Sequence, residues 1–196
     1  MTMARPRGFN FDDALDKALT LFWRKGYEGT SLSDLTDAMQ IARPSLYAAF
    51  GNKESLFHKV LERYEATHLS FVAAALAAAS AREVAARFLY GSADCQTGQC
   101  LPAGCLAIHA ALVCSEASDP IRKALVDRRR AGEAALAKRF AEAKAAGDLP
   151  GDEDPEGLAR YLMTVAQGMS VQAAAGADRP VLHGIVADAM RNWPSD

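Results

Sequence analysis

The sequence predicts an all-α fold, and three observations predict it. Apolar residues recur at spacings of three and four through most of the chain, and the strict alternation that marks strands is missing. Ser31, Asn52 and Asp154 stand where periodic segments begin, and glycines such as Gly26 and Gly147 stand where they end. Residues 31–50 hold two short apolar-periodic segments around a tight break, so the architecture is an N-terminal three-helix head with a helix-turn-helix, followed by a larger helical region. The boundary is placed between residues 1–52 and 53–196.

Each element has a local cause. Ala14, Leu15, Ala18, Leu19, Phe22 and Trp23 make one apolar stripe on a first helix that ends at Gly26-Tyr27-Glu28-Gly29-Thr30. Ser31 is an N-cap for a second helix with Leu32, Leu35, Ala38 and Met39 on one face. Pro44 starts a helix well and continues one badly, which forces a break around Met39–Arg43. The third helix therefore begins near Arg43, with Leu46 and Phe50 inward and Arg43, Ser45, Tyr47 and Ala48 outside. An element this short and preset suits insertion into a major groove.

From Asn52 a long helix is expected to about Ala79, with Leu56, Val60, Leu61, Tyr64 and Phe71 on related faces, leading out of the head as a mechanical link. Arg82–Tyr90 reads as a helix, Gly91–Gly104 as a loop and Cys105–Ser115 as a short helix. Ser118-Asp119-Pro120 then caps a long helix to about Ala146, and two more follow over Asp154–Gly176 and Arg179–Trp193.

Composition excludes several classes. The chain has 196 residues, half of them hydrophobic, enough for a buried core. Its most apolar run, Phe71–Ala81, is too short to span a bilayer, and no apolar segment follows the basic N-terminus as in a secretory signal. A cytoplasmic location is expected. Net charge is −2, and residues 1–65 carry nine Lys or Arg against nine Asp or Glu, so composition alone does not suggest nucleic acid. Placement does: Arg5, Arg7, Arg43 and Lys53 lie where the head would aim at phosphate, with Arg5 and Arg7 either a minor-groove arm or merely solvated.

Phe22, Gly26, Tyr27, Thr30, Ser31, Leu46, Tyr47, Phe50, Lys53 and Glu54 together resemble the N-terminal signature of the TetR family of transcriptional regulators, over about residues 11–65. The segment from Gly104-Cys105-Leu106-Ala107 to Ala187, with Gln167-Gly168-Met169-Ser170-Val171, resembles one branch of that family more weakly. The resemblance implies a homodimeric regulator that binds a palindromic double-stranded DNA operator and is released from it, as a repressor, by a small-molecule effector. By resemblance and chemistry Tyr47 and Lys53 hold phosphates, helped by Thr30 and Ser31. Base reading falls to Arg43, whose fork grips guanine, with Pro44, Ser45 and Ala48 as small or apolar contacts. Three positions depart from the pattern: Gln40 replaces the usual turn glycine, Ala42 the usual capping Ser or Thr, and Ala48-Ala49 larger polar residues. A distorted turn and fewer direct contacts follow as expectations.

In the C-terminal region Leu162, Ala166, Met169 and Ala173, then Leu182, Ile185, Val186 and Ala189, fall at helical spacing. They are either plain core or the faces of a homodimeric four-helix bundle. Effector entry is expected between the long helices, where Tyr64, His68, Phe71, Phe88, Cys105, His109, Met163 and Gln167 would converge, and binding would tilt the helix from Asn52. Cys95, Cys100, Cys105 and Cys114 cluster without a Cys-x-x-Cys pair, which argues against a zinc ribbon. They are small buried apolar residues, a thiol sensor in which Cys95 and Cys100 approach each other, or a soft-metal site at Cys105 and His109, four apart on one face. No phosphate loop, zinc-protease motif, nucleophile elbow or isolated carboxylate pair is present, so neither an enzyme nor a resident cofactor or metal is expected. A redox- or electrophile-responsive regulator and a helical adaptor without DNA binding are the alternative functions.

Overall fold

The computed structural model describes residues 9–98, 102–112 and 118–194. Arg5, Arg7, Cys100 and Cys114, singled out above, lie outside them. Among the described residues there are ten helices and no strand: α1 (Phe11–Lys25), α2 (Leu32–Met39), α3 (Arg43–Phe50), α4 (Lys53–His68), α5 (Ser70–Leu76), α6 (Ala81–Gln96), α7 (Leu106–Leu112), α8 (Asp119–Ala145), α9 (Pro155–Ala174) and α10 (Arg179–Arg191).

The head forms as its sequence dictates. The α1 stripe from Ala14 to Trp23 is buried in full. Asn10 caps α1 by accepting from the Asp12 and Asp13 N–H groups, and Ser31 closes a reciprocal capping box with Asp34 on α2. Gln40 adopts the left-handed conformation, φ 56° and ψ 42°, so the turn keeps the geometry a glycine would give it and is not distorted. The strain is of order 1 kcal/mol. Ala42 offers α3 no side-chain cap, and Pro44 lies in its first turn.

Two hydrophobic cores organise the rest. The first joins α1–α3 to Leu56, Phe57, Val60, Leu61 and Tyr64 of α4, and takes in Leu106 and Ala110 of α7 and Ile121 and Leu125 of α8. The second is built from α5, α6, the far half of α8, α9 and α10, with Phe140, Leu162, Met169 and Trp193 among its members. Charged groups brace α4 between them: Arg63 grips Asp16 of α1 through Nε and Nη2 at 2.8 and 2.9 Å, and Arg128 of α8 reaches Glu65 at 2.7 Å.

Three elements differ from the sequence reading. The expected helix from Asn52 to Ala79 is broken at Leu69 (φ −104°, ψ 13°), and α5 restarts at Ser70. The break turns Phe71 onto α6, where its ring lies flush against Gly91: a Cβ there would meet Phe71 Cδ2 at 2.3 Å. The expected loop from Gly91 is therefore helix as far as Gln96, because this glycine serves close approach rather than a turn. Ser118 precedes α8 without capping it, and its hydroxyl instead donates to Glu28 beside the head.

Candidate nucleic-acid interface

The outward face of α3 is a surface built on two buried anchors. Leu46 and Phe50 are buried, while Arg43, Pro44, Tyr47 and Ala48 are exposed and Ser45 is half-covered. Tyr47 is 46% exposed, high for an aromatic side chain packed on a small core. Arg43 makes no ion pair among the described residues, so its guanidinium is free to meet an external acceptor. The helix start is open as well: without a cap at Ala42, the positive end of the α3 dipole faces outward.

Lys53 begins α4 beside this face. Its ammonium sits 4.3 Å from the centroid of Tyr27, whose ring packs in turn on Phe22 and Phe57 at 6.1 and 5.0 Å. Partial burial holds its pKa below the usual lysine range, against the opposing pull of Glu28. Ser31 is exposed at the start of α2, with its hydroxyl shared between the Asp34 carboxylate and N–H. Thr30 is corrected: it is fully buried, and its hydroxyl donates to the Gly26 carbonyl at 2.7 Å, so it shapes the turn and is withdrawn from any phosphate.

The expected effector residues have the following surroundings. Tyr64, His68 and Cys105 gather around Trp23: His68 lies 5.3 Å from the indole, and the Tyr64 hydroxyl donates to Cys105 Sγ at 3.4 Å. Phe71 and Phe88 pair at 6.4 Å in the second core. Met163 faces Gly132 of α8, and the His109 ring folds back over Gly104 instead of pairing with the Cys105 thiol. Gln167 is half-buried on α9. An open groove of about 590 Å³ runs between α8 and α9, lined by Arg130, Glu133, Lys138, Asp154 and Arg160 among others, and none of the eight expected residues borders it. Among the described residues no three His, Cys, Asp or Glu side chains gather as a metal site.

Of the two readings given for the α9 and α10 stripes, plain core is the one their burial fits, in place of a dimer face. Leu162, Ala166, Met169, Ala173, Leu182, Val186 and Ala189 are buried inside the single chain, and Ile185 is half-buried against the same core. The opposite faces of α9 and α10 are the open ones. Tyr161, Val171 and Val181 are 43%, 50% and 54% exposed, and Gly168 and Gly184 have free space where a Cβ would stand. Helical periodicity identified one apolar face on each helix, but could not tell whether that face meets its own core or a partner.

Known proteins share this arrangement. Residues 14–60 match the description of bacterial regulatory proteins of the tetR family, and residues 82–188 match the tetracyclin repressor-like C-terminal domain. The HTH-type transcriptional repressor ComR of Escherichia coli K12 is 38% identical over 192 residues, which covers 97% of this chain and 91% of that protein. Two cysteine-substituted forms of the TetR family regulator CifR, solved with a 26-bp double-strand operator, are 42% identical, with TM-scores of 0.92 and 0.93 over 97% of this chain and 100% of theirs. From its exposed, proline-started third helix to its helical C-terminal region, the chain belongs to the TetR family of transcriptional regulators.

Proposed function

We propose that this chain is a homodimeric repressor that reads a palindromic operator with α3 and is released by an effector sensed in residues 53–196, the reader being residues 1–52. The observation that carries the reading is the outward face of α3, which presents Arg43, Ser45, Tyr47 and Ala48 over a buried Leu46–Phe50 anchor. Arg43 reads a guanine edge, while Tyr47, Ser31 and Lys53 donate to phosphates and set the register. The operator-bound structures of the similar CifR, and the names of ComR and BdcR as HTH-type transcriptional repressors, support the same role.

Two heads must stand about one helical turn apart, ~34 Å, to meet successive major grooves on one side of a duplex. The outer faces of α9 and α10 supply the pairing surface, with Tyr161, Val171 and Val181 as apolar contacts and Gly168 and Gly184 permitting close approach. The helices proposed are those named from the sequence, and the faces proposed are the opposite ones. Among the described residues no helix is long and apolar enough to cross a membrane. An electrophoretic mobility shift with DNA from upstream of its own gene tests the reading. A salt-sensitive complex that survives excess random DNA is expected, and binding no tighter than to random DNA would refute it.

A further inference from the structure

We propose that Cys95 and Cys105 are a dithiol that a two-electron oxidant of the peroxide class closes to a disulfide, weakening operator binding. This rests on the regulator reading above and specifies how that regulator is switched.

Three side chains meet at one point. Cys95 lies in the last turn of α6, Cys105 immediately precedes α7, and both are half-buried free thiols. The Tyr64 hydroxyl from α4, itself 1% exposed, donates to Cys105 Sγ at 3.4 Å and is close enough to Cys95 to interact with it electrostatically. The backbone brings the two cysteines side by side. The Gly104 N–H donates to the Gln96 carbonyl at 2.9 Å, closing the chain between them so that residues 95 and 105 flank the closure. That frame is pinned to α9: Gln96 Nε2 donates to the Ala166 carbonyl at 3.0 Å, and the Cys105 N–H to Ser170 Oγ at 2.8 Å. The sequence reading set Cys95 beside Cys100 and Cys105 beside His109; Cys100 lies outside the described residues, and the Gln96–Gly104 closure is what sets Cys95 against Cys105.

The two sulfurs are not equivalent. Burial, followed by the nearness of Cys105, pushes the Cys95 thiol up to about 11, which keeps it protonated and makes it the resolving partner. Cys105 reacts first. Its thiolate attacks one peroxide oxygen, the O–O bond breaks, and the departing hydroxide takes a proton as water, leaving a sulfenic acid. Cys95 sulfur then attacks Cys105 sulfur, the S–OH bond breaks, and the hydroxide leaves with the Cys95 proton as a second water. Two thiols and one peroxide thus yield one disulfide and two waters, with two electrons passing from sulfur to oxygen.

The link to DNA is Tyr64. An S–S bond draws both sulfurs to about 2.05 Å and changes what the buried hydroxyl can donate to. Tyr64 sits on α4, the helix whose first residue is Lys53 and whose side chains share the core of α1–α3. A shift there is transmitted to the head.

The test uses full-length protein carrying Cys100→Ser and Cys114→Ser, so that only the two cysteines in question remain. Hydrogen peroxide should cause loss of the mass of two hydrogens and of both titratable thiols, reversed by dithiothreitol, with affinity for upstream DNA falling at least tenfold. Adding Cys95→Ser or Cys95→Ala should preserve binding by the reduced protein, abolish the mass loss and leave Cys105 gaining oxygen instead. Oxygen addition without loss of hydrogen in the two-cysteine protein, or full closure with unchanged affinity, would overturn the proposal. If reduced protein bound no DNA while closure still occurred, the dithiol would stand and the regulator reading would fall.

Discussion

Arg43 and Lys53 are both cations beside one exposed helix, yet their surroundings differ, and so do the roles proposed for them. Arg43 projects from the first turn of α3 with no acidic partner among the described residues, whereas Lys53 is held over the Tyr27 ring at the rim. Arg43→Ala should therefore cost about 1–3 kcal/mol at one base pair and relax preference there. Lys53→Ala should weaken all sequences alike and flatten the salt dependence, as a titration on operator and random DNA would reveal. Equal losses on both DNAs for Arg43→Ala would remove it from base reading. Asp34 is a pH handle at the same scale. The Ser31 N–H, then Lys25 and the Ser31 hydroxyl, hold its carboxyl well below the ordinary 3.8. With the folded value depressed, its contribution is present above pH 3.8 and fades as pH falls below it. Wild type should lose its advantage over Asp34→Asn as denaturant unfolding is repeated from about pH 5 downward.

Helices 2 and 3 show what the sequence could and could not reveal. Their limits, the Ser31 cap, the Pro44 start and the inward Leu46 and Phe50 were legible because each has a local cause within four residues. The missing cap was legible too, and Ala42→Ser should raise stability by about 0.5–2 kcal/mol, read by thermal unfolding. Gly91 was misread for a physical reason: a glycine that permits a turn and one that admits a neighbour's ring look alike until Phe71 is in place. Gly91→Ala should destabilise by roughly 1–3 kcal/mol through overpacking, and Phe71→Leu should relieve part of it, a coupling that a double-mutant cycle measures. The α4 break at Leu69 was hidden because apolar spacing continues unbroken through Phe71.

At the scale of the molecule, the division of apolar surface decides assembly. Periodicity showed α9 and α10 to be apolar, their most regular stripes lie in the chain's own core, and the smaller, more broken outer faces are the ones proposed above for a partner. Val171→Glu combined with Val181→Glu should give a folded monomer by sedimentation, with loss of tight operator binding because a single head forfeits half its grooves. A dimer that persisted in that variant would place the interface elsewhere. The head, for its part, does not finish where its last DNA-facing residue does. Its core borrows Leu56 through Tyr64 from α4, Leu106 and Ala110 from α7, and Ile121 and Leu125 from α8. Anyone grafting this reader onto a foreign sensor by splicing at residue 52 would thus transplant a lid without its box; a working chimera has to carry α4 along and supply substitutes for the α7 and α8 side chains beneath it.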